Sequence, residues 1–92
     1  MTDTESEGIS SGVIINVFPN PFIESTTFEV KGLQKVGELE LQVYDLQGRL
    51  IQQNRFTSNR FEYYRGQLPR GMYIYRMLSG GQLISTGKIV VR

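Results

Sequence analysis

The sequence predicts an all-β fold, a single seven-stranded antiparallel β-sandwich of the immunoglobulin-like kind, on three observations. Val, Ile and Thr supply 21 of the 92 residues and Phe and Tyr a further 10, the types that pack well on a pleated surface. Alanine, the strongest helix former, is absent. Short apolar or alternating runs recur roughly every ten residues with turn signals between them, and no window carries a helical period. A chain of 92 residues makes one domain with a small core.

Residues 1–12 are polar, acidic and rich in Ser and Gly, and read as a flexible leader or linker; the domain proper spans 13–92. The leader lacks the basic start and apolar stretch of a signal peptide. No run approaches the roughly 18 apolar residues of a membrane span. The first strand is expected over 13–17 and stops at Pro19-Asn20-Pro21. Proline fixes φ and lacks an N–H, so no strand runs regularly through two of them, and Asn20, preceding Pro21, is held extended. A second strand over 25–31 sets Phe28 and Val30 opposite Thr27, Glu29 and Lys31. The third, 38–45, alternates Leu39, Leu41 and Val43 with Glu38, Glu40 and Gln42, a half-buried pattern.

Gln47-Gly48 turns the chain and 49–56 returns. The run 60–64 puts Phe61 and Tyr63 on one side and leaves Tyr64 outside. Leu68-Pro69-Arg70-Gly71 leads into 72–78, apolar on both faces apart from Arg76, with Gly71 in a conformation alanine would resist. Gly80-Gly81 is a hairpin signal, because both residues accept positive φ, and 83–91 is the last strand. Chain ends usually fray, so a strand running to the final residue is expected either in the middle of a sheet or as something another molecule reads.

The composition excludes much chemistry. Cys, His and Trp are absent, which removes disulfides, thiol nucleophiles, the usual ligands of zinc, haem and iron–sulfur sites, and any Ser–His–Asp or Cys–His triad. There is no phosphate loop, nucleophile elbow or calcium loop. Glu38 and Glu40 share one solvated strand face, whereas a glycosidase sets its carboxylates across a cleft. No catalytic, cofactor-binding or metal-binding residue is therefore assigned, and a stand-alone enzyme is the least supported class. Tyr64 and Tyr44 are the aromatics a sugar could stack on. The net charge of +1 hides an asymmetry: residues 1–45 carry eight acids and two bases, residues 46–92 eight bases and Glu62 alone. Either the halves pair in the fold, or a basic face meets an anionic partner such as nucleic acid or lipopolysaccharide. A net charge near zero argues against nucleic acid.

Four ordered segments resemble a known family. They are Val17-Phe18-Pro19-Asn20-Pro21-Phe22, then Val43-Tyr44-Asp45-Leu46-Gln47-Gly48-Arg49-Leu50-Ile51, then Leu68-Pro69-Arg70-Gly71-Met72-Tyr73, and finally Gly87-Lys88-Ile89-Val90-Val91. Together, over about residues 13–92, they look like the C-terminal sorting domain of cargo proteins exported by the type IX (Por) secretion system of Bacteroidetes. Phe18 stands where many members have Tyr, and Ile23 where a polar residue is common.

The resemblance implies a non-catalytic address label with no cofactor. Its partners would be an N-terminally fused cargo, the outer-membrane translocon and a sortase-like protease that cuts within residues 1–13. The route would pass through the periplasm to the cell surface or the outside, with no nucleic acid and no integral membrane segment involved. It also implies recognition residues: Pro19, Asn20, Pro21, Gly71, Tyr73, Gly87, Lys88, Ile89, Val90, Val91 and Arg92. The last strand, with Lys88 and the carboxylate of Arg92, would present the readable end, and strand addition at a sheet edge is one way to read it. The alternative reading is an immunoglobulin-like accessory module, carbohydrate-binding or spacing, on a secreted enzyme or adhesin.

Overall fold

The computed structural model describes residues 12–33 and 37–92; the leader expected at 1–12 lies outside them except for Gly12. Among the described residues there are seven strands and no helix: β1 Ile14–Phe18, β2 Ser25–Lys31, β3 Leu39–Tyr44, β4 Leu50–Phe56, β5 Arg60–Tyr64, β6 Gly71–Ser79 and β7 Gln82–Val91. All pair antiparallel, in one sheet ordered β1-β2-β5 and a second ordered β4-β3-β6-β7. Each strand expected from the sequence is present, with its ends moved by no more than a residue. The architecture is sandwich-like and consistent with the immunoglobulin fold.

Residue parity explains which side chains meet. Phe28 and Val30 of β2 and Phe61 and Tyr63 of β5 turn inward from one sheet. Leu39, Leu41 and Val43 of β3 and Tyr73, Tyr75 and Met77 of β6 turn inward from the other. Phe28 is the hub: it stacks on Phe61 at 5.4 Å between centroids and takes Tyr63 and Tyr75 edge-on at 6.0 and 5.2 Å, arrangements aromatic rings prefer. Burial pushes the Tyr63 hydroxyl up to about 12, with Tyr73 adding to the effect.

Strand β4 departs from strict alternation and is largely exposed. It is the outer strand of its sheet, its positions opposite the buried Val43 and Leu41 are the polar Gln52 and Asn54, and its register shifts between Val43 and Tyr44. Gly80 and Gly81 take φ of 58° and 83°, the two positive angles that the tight β6–β7 hairpin needs.

The terminal strand is not in the middle of a sheet. β7 pairs with β6 on one side, and the ladder ends there. Among the described residues its other edge is bridged at its end, by the segment that follows β1: Phe22 bridges Val91 in parallel.

Candidate functional site

The segment Pro19–Phe22 leaves the first sheet and reaches the second. Both proline peptides, Phe18-Pro19 and Asn20-Pro21, are cis. Thr26 fixes the exit, its hydroxyl donating to the Pro19 carbonyl at 2.6 Å. The Asn20 side chain then clasps β7: its amide donates to the Lys88 carbonyl at 3.0 Å, and its Oδ1 accepts from the Val90 amide at 3.0 Å. Phe22 continues the seam. Its N–H donates to the Val90 carbonyl at 2.9 Å, and its carbonyl accepts from the Arg92 N–H at 2.8 Å. The Phe22 ring is buried at 2% exposure and meets Tyr63 edge-on at 6.4 Å. Four hydrogen bonds thus seal residues 88–92 along their outer edge.

This corner gathers the residues singled out from the sequence. Gly71 pairs with Val91 and Tyr73 with Ile89 across the β6–β7 ladder. Tyr73 is buried, and its hydroxyl donates to the Pro69 carbonyl at 2.5 Å. A tyrosine near the start of a strand bonding back to the preceding corner is also a feature of immunoglobulin-type sandwiches. Gly71 holds φ at +150°, a region closed to residues with a Cβ. Gly87 faces Tyr75 across the ladder, and a Cβ there would sit 2.7 Å from the ring.

Tyr73, Ile89 and Val91 belong to the core, whereas Pro19, Asn20, Pro21, Gly71, Lys88 and Arg92 are exposed. Because the backbone edge of 88–92 is already bonded, strand addition has no free ladder there. What a partner meets at this end is side chains: Lys88 and Val90 beside Asn20, Pro21 and Met72, around a shallow depression of 310 Å³. Thr26, Phe22 and Met72 are participants that sequence reasoning left off the site. Thr26 had a signal: it shares the inward parity of Phe28, and a buried hydroxyl needs a partner.

Charge divides by strand. Arg49, Arg55 and Arg60 pair with Asp45, Glu38 and Glu29 at 2.8, 3.7 and 3.3 Å, so the basic half of the chain does neutralise the acidic half around β4 and β5. Among the described residues, Arg70, Arg76, Lys88 and Arg92 have no carboxylate within ion-pair distance. Tyr64 and Tyr44 lie on different sheets and make no common platform for a sugar. Tyr64 instead donates to Glu62 at 2.9 Å, which raises its hydroxyl above the ordinary range.

A comparison with curated proteins gave no match. A family model, that of the secretion system C-terminal sorting domain, matches residues 16–92. The match takes in both partners of the Asn20 clasp, β2 to β7 entire and β1 from Asn16 onward. On that coverage, the chain belongs to the type IX secretion C-terminal sorting domain family.

Proposed function

We propose that this domain is a non-catalytic address, read in its folded form by the type IX outer-membrane machine. Membership of the family carries the coarser statement: the domain marks a larger protein for export to the cell surface or the extracellular space. The finer reading is ours. The folded label is engaged in the periplasm, the fused cargo follows it across the outer membrane, and a sortase-like protease then cuts within residues 1–13. Recognition falls on the corner built by Pro19, Asn20, Pro21, Gly71 and the terminal residues Gly87–Arg92.

One observation supports this best. The two family segments farthest apart in the chain meet at the Asn20 clasp, with partners 68 and 70 residues away. Packing alone does not require an exposed polar side chain at that seam. On this reading the corner is a surface that unrelated cargoes could all present.

The test is to fuse the chain to the C-terminus of a signal-peptide-bearing fluorescent reporter in a bacterium with a type IX machine and in its translocon-deletion strain. Machine-dependent export, with a new reporter C-terminus by mass, is expected. Retention of a folded reporter in the periplasm of both strains would sink the reading. Replacing Asn20→Ala removes two exposed hydrogen bonds, costs about 1–2 kcal/mol, and leaves the core to hold the fold. Export of that variant is expected to fall well below wild type.

A further inference from the structure

The clasp seals the end of β7's edge but leaves the strand's outer face open. Outward positions fall in rows across the ladders: Met72 beside Val90, Ile74 beside Lys88, and Arg76 beside Thr86, with Tyr44 of β3 next to Ile74. Met72 is 42% exposed, and Ile74, Val90 and Tyr44 are half-buried, so an apolar strip lies at the surface. Besides the depression at Asn20 and Val90, a second of 240 Å³ is lined in part by Tyr44, Leu46, Ile74 and Arg76.

The cations on this face have no acidic partner of their own. Among the described residues, Lys88 has no carboxylate within ion-pair distance, and Arg76 lies over the Tyr44 ring, 5.9 Å from its centroid. Two carboxylates lie on neighbouring positions, of which Asp45 is neutralised by an arginine and Glu40 keeps its charge. Glu40 accepts from Gln42 and Gln53, which hold its carboxyl below the usual range, and Asp45 is taken by Arg49. An apolar strip with two cations that no described carboxylate reaches within ion-pair distance favours a partner of opposite charge.

We propose that the outer face of β6 and β7 seats an acidic protein partner, with apolar side chains against Met72, Ile74 and Val90 and carboxylates against Arg76 and Lys88. This rests on the sorting reading and adds the face and the partner's chemistry. A membrane is the poorer match. Attachment to an anionic bilayer draws on clusters of about 4–8 basic residues or on protruding apolar side chains, whereas this face has two cations and a strip lying flat in a sheet. Protein interfaces combine such an apolar centre with charges that fix orientation and speed encounter.

The test keeps the full chain on the exported reporter and places a photo-crosslinking amino acid at Thr86 or, as control, at Glu62 on the other sheet. A protein adduct through an acidic peptide is expected from Thr86 and not from Glu62. The Arg76→Glu, Lys88→Glu double variant, shown folded by thermal melt, is expected to lose the adduct and to export about tenfold less. Lys88→Arg is expected to retain both. If the double variant does not fold, Arg76→Gln with Lys88→Gln takes its place, with the same direction expected.

A folded double variant that crosslinks and exports like wild type overturns the proposal and leaves the sorting reading intact. So does an adduct to lipid, to residues 1–11 or to a second copy of the chain. Charge-dependent binding of the wild type to phosphatidylglycerol vesicles, without a protein adduct, overturns it in favour of an anionic lipid. Retention of the wild-type fusion in both strains overturns the sorting reading itself, and this proposal with it.

Discussion

Ser85 is fully buried, and its hydroxyl has no hydrogen-bond partner among the described residues. A hydroxyl stripped of water and left unpaired costs about 1–3 kcal/mol. Ser85→Ala is therefore expected to raise stability by about 1 kcal/mol, measured as a higher urea midpoint at unchanged slope. Gly87 gives the opposite case. The Tyr75 ring occupies the space a Cβ would need, so Gly87→Ala is expected to cost about 1–3 kcal/mol, read by the same melt. The functional and the packing roles of Gly87 separate there, since the glycine is required by Tyr75 whether or not anything reads the terminus. Single residues were legible in the sequence where parity decided them: Phe28, Leu41 and Tyr63 face inward as alternation requires. Asn20 was legible as a backbone device only. What its side chain grips lies 68 and 70 residues away, and no local pattern encodes a partner at that distance.

At the scale of elements, the β3–β4 turn is held by one carboxylate. Asp45 accepts from the backbone amides of Arg49 and Gln47 and from the Arg49 guanidinium, each within 2.9 Å. Foremost the Arg49 amide bond, and then the Arg49 side chain and the Gln47 amide, hold its carboxyl below the ordinary value of 3.8. A lowered folded value means the ionised form supports the native turn. That support is complete above 3.8 and is lost as pH falls through the lower value. The protection of the Gln47 and Arg49 amides, measured as exchange relative to the unstructured rate at the same pH, is expected to fall on acidification below 3.8, and Asp45→Asn is expected to flatten that dependence. All seven strands were legible because their turn signals are local. The order of strands was not, because which edges join depends on long-range burial; β7 proved to be an outer strand rather than a central one.

At the scale of the molecule, one aromatic cluster joins the two sheets. Phe28 of one sheet meets Tyr75 of the other at 5.2 Å. Phe28→Ala is expected to cost about 3–5 kcal/mol, a large share of the roughly 5–15 kcal/mol that a domain has. Chemical denaturation would check it, with loss of both sheets in a single transition. Charge is the other whole-molecule property. The asymmetry between the halves was plain in the sequence, but its two readings were not alternatives in the fold. The arginines of β4 and β5 meet acids, and the cations of β6 and β7 do not. Exposed pairs of this kind are worth under about 1 kcal/mol each, so their weight lies in where they leave charge unspent.

The seam between Asn20–Phe22 and residues 88–92 bears on synthesis as well as on shape. Its early half is translated well before its late half, so the ring they form closes only once residues 88–92 have been made. A product truncated before Lys88 has no strand for Asn20 to grip and leaves the Phe22 amide without its acceptor. Under the sorting reading, such a product offers the export machine no finished corner. The fold then withholds the label from cargo that lacks residues 88–92.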